Sequence, residues 1–274
     1  MLFAVPNVSE GRDQAAIMGI AQAFAATPGV KLLDTHSDPD HHRSVFWLSG
    51  REPGLLAEAL VQGAREAVGW INLDEPRGIH PHVGAIDVAP IVYLHEADRG
   101  AACAEALLAA ERLGEEVGLP VYLYGELAGG RTRAQLRRGG LKALRTIAPD
   151  FGPRDPDPRK GAVLVAARPP LIAFNFEIDG DEETATRVAK EIRELPGVKA
   201  LGLWLESGRV AQVSCNVEDH RAMPLATLLE EVSSRARVRE AELVGLAPAE
   251  AFAGWPEDVK VRNRRTIEEV LGSS

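Results

Sequence analysis

At 274 residues, 45% of them hydrophobic and 26% charged, the chain is long enough for one large or two modest domains, each with a core of its own. No stretch approaches the roughly 18 to 20 uninterrupted apolar residues of a membrane span, and the opening MLFAVPNVSEGRD lacks the basic flank and apolar core of a signal peptide; a cytoplasmic protein with no membrane contact is expected. The net charge of −9 argues against general nucleic-acid binding.

The first half reads as strands and helices in alternation. After a short strand over residues 2–5, Ile17, Ile20, Ala21 and Phe24 recur at helical spacing, and Pro28-Gly29 closes that helix. Between the two, Pro6-Asn7-Val8-Ser9-Glu10-Gly11 is a strand-to-helix turn, with Ser9 or Asp13 as helix cap and Asn7 available to a ligand. Strand-like runs at 30–35 and 44–49 flank the loop HSDPDHHR. Its His36, Asp38, Asp40, His41 and His42 have metal-ligand chemistry but no i, i+4 spacing and no thiolates, so a hydrated polar loop without metal is expected. A helix over 53–68 follows, then the stretch GIHPHVGAIDVAPI at 78–91. Proline after His80 disfavours a helix there, and the apolar run after it has strand composition, which places the imidazole on a stiff loop at the mouth of a strand. His82 is the less favoured of the two imidazoles. Asp87, within the strand, is either a buried carboxylate tuning a neighbour or an edge residue making local hydrogen bonds. A helix over 96–117 and a strand over 120–124 complete a split βαββαβ unit with an extension.

Residues 131–168 hold ten Lys or Arg against Asp150, Asp155 and Asp157. This local basic field in an acidic protein suits an anionic small molecule or, as readily, a solvated helix face. Within it, PDFGPRDPDPRKG at 149–161 has linker composition. Beyond residue 170 the order of elements repeats. Ile172, Phe174, Phe176 and Ile178 alternate as in a half-buried strand, and Val188, Ile192 and Leu195 mark a helix. Two alternating runs through Leu203 and Val213, joined at Ser207-Gly208, form a hairpin; a helix through Leu225, Leu228, Leu229 and Val232 and a strand over 241–244 close a second βαββαβ. The residues from 248 to 274 are expected to be helical and polar at their end. Cys103 and Cys215 fall in a helical and a strand-like pattern and read as small core residues, not as a disulfide. The fold class expected is α/β of the α+β kind: two ferredoxin-like βαββαβ sandwich subdomains, 1–170 and 171–274, with a substrate cleft between them. No GxGxxG, P-loop lysine or G-x-S-x-G is present.

The stretches VPNVSEGR (5–12), LLD (32–34), HPHVGAIDV (80–88), PVYLYGE (120–126), APDFGP (148–153), LIAFN (171–175), AQVSCN (211–216) and LVGL (243–246) together resemble the formiminotransferase family. The resemblance covers nearly the whole chain. It implies two α/β subdomains that hold tetrahydrofolate as co-substrate, and transfer of a formimino group between N-formimino-L-glutamate and folate in histidine breakdown. It matches His80 to the family's catalytic histidine, acting as general acid/base. It places folate contacts on Gly152, Pro153, Arg154, Asp155, Pro156, Asp157, Pro158, Arg159, Lys160 and Gly161, with Asn7 and His36 as further substrate-binding candidates, and implies a homodimer. In some members the transferase is fused to a cyclodeaminase, which a chain of this length is not expected to contain. Where the family pattern has an acid two positions after the LLD aspartate, this chain has His36, leaving Asp38, Asp34 or no acid at all as partner. The competing readings are a relative that transfers a formyl group and a noncatalytic folate- or anion-sensing module.

Overall fold

Pro6 has no N–H to offer a ladder, and it divides the first strand into β1 (Leu2–Ala4) and β2 (Asn7–Val8). The computed structural model describes residues 1–74 and 78–272. It falls into two compact units, Met1–Pro169 and Pro170–Ser274. In the first, α1 (Gln14–Ala25), β3 (Lys31–Asp38), β4 (Arg43–Gly50), α2 (Leu55–Trp70) and β5 (Ile86–Val92) follow β2. The broken first strand lies between β4 and β5 and antiparallel to both, and β3 pairs with the far side of β4. Counting β1 and β2 as one strand, this is the 4-1-3-2 order of a ferredoxin-like unit. The chain then runs through α3 (Arg99–Glu116), β6 (Val121–Leu123), α4 (Arg133–Arg137) and α5 (Gly140–Leu144) to β7 (Val163–Arg168). β7 inserts between β5 and β6, parallel to each, and completes a seven-stranded sheet.

The helices stack on one face of this sheet because their apolar residues recur every three or four positions. Ile17, Ile20 and Phe24 of α1 and Leu56, Leu60 and Ala64 of α2 share one core. Gly63 is required there, since a Cβ would lie 2.1 Å from the Phe24 ring. Asp13, not Ser9, caps α1, accepting the N–H groups of Ala15 and Ala16; the Ser9 hydroxyl donates instead to the Gly84 carbonyl. Glu105 of the alanine-rich α3 is buried, yet its carboxylate accepts the N–H groups of Gly54 and Ala57 at the start of α2. The opposite sheet face carries Val88, Tyr122, Tyr124, Leu164 and Ala166, packed with Leu136 of α4 and Leu144 of α5.

The second unit repeats the plan with β8 (Ile172–Ile178), α6 (Glu182–Ile192), β9 (Val198–Leu205), β10 (Val210–Val217), α7 (Leu225–Ser233) and β11 (Val238–Val244). Its order, β11-β8-β10-β9, is again 4-1-3-2, with β12 (Val261–Arg262) added parallel to β11. The alternating residues of β8 and β10 face Val188, Ile192, Leu225 and Leu228 of the helices, and Phe174 packs edge-on to Phe176, Phe252 and Trp255. Both units are therefore ferredoxin-like, as the order of elements in the sequence implies.

Several local expectations change. β3 extends to Asp38, so His36 and Asp38 belong to a strand. His41 and His42 are buried, which replaces the hydrated loop with a packed turn: His41 is held by the Asp38 carboxylate, and His42 Nδ1 accepts the Gly11 N–H. α4, α5 and β7 occupy the basic stretch. The tail is a 3₁₀ turn (Ala249–Phe252), β12 and the short α8 (Ile267–Gly272), with Ser273 and Ser274 outside the described residues. Cys103 lies in α3 and Cys215 in β10, both as free thiols, and burial pushes the Cys215 thiol up to about 12. No helix among the described residues is long and apolar enough to cross a membrane.

Candidate functional site

β5 begins with a contradiction that organises its surroundings: Asp87, in an apolar strand, is fully buried. A buried carboxylate needs partners, and three elements provide them. Val83, in the turn before β5, donates its N–H to Oδ1 at 2.8 Å; Arg43, at the start of β4, donates from Nη1 to Oδ2 at 2.7 Å; Arg137 of α4 donates from Nη2 to the same oxygen. Arg43 and Arg137 are only 10% and 14% exposed. Burial raises the Asp87 carboxyl, but the two guanidiniums overcome it and hold the group well below the usual carboxylate range. Burial lowers the Arg43 guanidinium to about 10, with Asp87 opposing, so it stays charged at neutral pH. Of the two roles open to Asp87, the structure selects the buried one.

Arg43 passes this order on to His80. Its Nη1 lies 3.1 Å from His80 Nδ1, and its Nε donates to Asn7 Oδ1 at 2.9 Å. A guanidinium can only donate, so Nδ1 is an acceptor and the ring proton resides on Nε2. Burial, and then the positive charges of Arg43 and Arg137, hold the His80 pKa well below 6.5. The ring is neutral at pH 7, on a residue that is half-buried. The His41 ring, paired with Asp38, lies beside it, with ring centroids 6.2 Å apart. His82 turns back, its Nδ1 3.4 Å from the His80 carbonyl.

Of the sequence candidates, Asn7 joins this cluster through Arg43. His36 lies in register with Val45, which in turn lies in register with Asn7, so it shares their sheet face; among the described residues no hydrogen bond joins it to His80. The 152–161 segment is mostly exposed and reaches the site at one end. Gly161 bridges Gly84, and the Lys160 carbonyl accepts the Ala85 N–H at 2.8 Å, fastening the segment to the turn that carries His80. A Cβ on Gly161 would lie 2.2 Å from the Val83 carbonyl oxygen, and φ there is +74°. At the other end Gly152 packs against Gly114. Arg43, Arg137 and Asp87 form the charged centre, and only Asp87 was visible as a possibility in the sequence.

Residues 1–168 match the N-terminal subdomain of the formiminotransferase domain, and residues 173–257 match the formiminotransferase domain. The chain belongs to the formiminotransferase family. It is 38% identical to the formimidoyltransferase-cyclodeaminase of Sus scrofa over 92% of its own length and 51% of that protein's. It is 36% identical to the glutamate formimidoyltransferase of Streptococcus pyogenes serotype M1 (90% of this chain, 89% of that one) and 34% identical to that of Thermoplasma acidophilum (92% and 89%). The chain thus spans about half the length of the cyclodeaminase-containing formiminotransferases and most of the length of the two others. The formiminotransferase match covers both ferredoxin-like units.

Proposed function

We propose that this chain transfers a formimino group between N-formimino-L-glutamate and tetrahydrofolate, with His80 as the proton carrier. The observation that carries this reading is the neutral imidazole whose Nδ1 is shared with an arginine anchored on a buried carboxylate. Tetrahydrofolate supplies the nucleophilic amine. The chain must then take a proton from that amine and give one to the departing glutamate nitrogen. An acceptor at Nε2 requires the ring's own proton on Nδ1, so the cycle starts with a tautomer change: Arg43 Nη1 turns wholly to Asp87, its acceptor 2.7 Å away, and solvent takes the Nε2 proton and returns one to the freed Nδ1. Nε2 then accepts the amine proton. An imidazolium beside two guanidiniums is a strong acid, which favours passing that proton on to the leaving nitrogen.

The family's folate contacts would fall on 152–161, a placement supported by the pairing of Gly161 with Gly84 beside His80. The resemblance also supports a role in histidine breakdown and a homodimer.

The deciding assay is glutamate release from N-formimino-L-glutamate by the purified chain, with and without tetrahydrofolate. Release that requires folate is expected; release from an N-formyl donor alone would shift the reading to a formyltransferase, and folate binding without turnover of either donor would remove it. The His80 environment adds a pH signature. Protonation of the ring abolishes its acceptor role, and its folded pKa lies below 6.5, so loss of kcat/KM on acidification should begin below that of an unperturbed histidine. A profile from about pH 5 to about pH 8 tests this. A half-loss at or above about 6.5 would contradict the neutral ring.

A further inference from the structure

Tyr124, just past β6, is 6% exposed, and its phenolic oxygen has no hydrogen-bond partner. A buried hydroxyl left unpaired is uncommon in a folded protein and marks a place where a ligand or water belongs. The guanidinium of Arg133 lies over the same ring, 5.8 Å from its centroid, and no carboxylate among the described residues forms an ion pair with it. Arg133 and Arg137 stand one turn apart on α4, hence on one side of it. Arg137 donates from Nη2 to Asp87, while its Nε is buried with no hydrogen-bond partner among the described residues. Arg43 and Arg137 therefore share the one buried carboxylate of Asp87, Arg133 adds its positive charge close enough to act on Arg43, and the spare groups, an O–H and guanidinium N–H groups, can all donate.

We propose that Tyr124 and Arg133, with Nε of Arg137, form a subsite for a glutamyl carboxylate beside His80. The inference rests on the transferase reading and deepens it. Both substrates named there end in glutamate: the formimino donor, and the tail of the folate. A carboxylate has the acceptor geometry that arginine forks and a phenol satisfy, and its charge offsets the positive excess. The donor's carboxylates are the better placed of the two, because the nitrogen that His80 must protonate sits on the same amino acid.

The test uses the full chain, with Tyr124→Phe and Arg133→Gln, measuring KM and kcat for each substrate and titrating L-glutamate and folic acid calorimetrically. The Tyr124 hydroxyl makes no bond within the protein, so its removal leaves the fold intact. Each variant should raise KM for the formimino donor about tenfold, with kcat falling far less and affinity for L-glutamate weakening in parallel. Arg133→Lys, which keeps the charge but not the fork, should lie between Arg133→Gln and the unmodified chain. A rise confined to the folate arm would keep the subsite and assign it to the folate tail. Unchanged constants in both arms, or no glutamate or folate binding by the unmodified chain, would overturn it. An unmodified chain that transfers the group while the variants match it loses the subsite and keeps the transferase reading. One that binds glutamate through Tyr124 and Arg133 yet transfers nothing keeps the subsite and loses the reading.

Discussion

Replacing His80 with alanine is expected to lower formimino transfer by about 10² to 10⁴, the range a positioned acid/base contributes, while folate binding is largely kept. The loss should fall on kcat, because the ring is asked to move protons in the transition state and not to hold either substrate. Little stability should go with it. His80 is partly exposed, and among the described residues its only side-chain hydrogen bond is to Arg43, which retains Asp87 and Asn7 as partners. Alanine also leaves a ring-sized gap next to Arg43, so added imidazole should recover part of the rate. His80→Ala running at near the unmodified rate would end the proposed role. A variant that had lost its thermal transition would show that the histidine props up the turn, and Asn, which can still accept from Arg43, would then separate the two effects.

The sequence made the strand ladder of the second unit easy to read, because β8 and β10 bury one face against helices and their alternation is visible in the residues themselves. β7 escaped notice for the converse reason. It is buried on both faces between two parallel neighbours, so AVLVAAR shows no alternation, and it follows directly on a proline-rich segment that reads as a linker. α4 and α5 are five residues each, too short to show a helical period, which is why the basic stretch looked like a diffuse field rather than a placed row of arginines. His80 stood out through its proline and its family match. Arg43 did not: its carboxylate lies 44 residues away, and the second arginine on that carboxylate is 50 residues further still, distances at which no local spacing carries information. The one usable signal was Asp87 itself. An acid inside an apolar strand demands a cation from somewhere, without saying which.

Asp87→Asn should be the more damaging change to the fold. The amide keeps the shape and one acceptor for the Val83 N–H, but it leaves two nearly buried guanidiniums facing no charge. Breaking a buried ion pair by removing one partner destabilises by about 3–5 kcal/mol, and here a single carboxylate serves both arginines. For a unit of this size that corresponds to a fall of roughly 6 to 20 °C in Tm. The pH dependence has a fixed sign. The folded Asp87 carboxyl is depressed below its unfolded value near 3.9, so its stabilisation is fully present above about pH 4 and drains away only as acid approaches the lower, folded value. The gap in Tm between the unmodified chain and Asp87→Asn should therefore be constant from neutral pH down to about 4 and close below it. The exposed pair Arg99–Glu96, at 50% and 73% exposure, is the contrast: Glu96→Gln should leave the transition where it was. Equal Tm for Asp87→Asn and the unmodified chain at neutral pH would mean that the guanidiniums find water or one another tolerable. The chain of control from Asp87 through Arg43 to the His80 tautomer would then have no anchor.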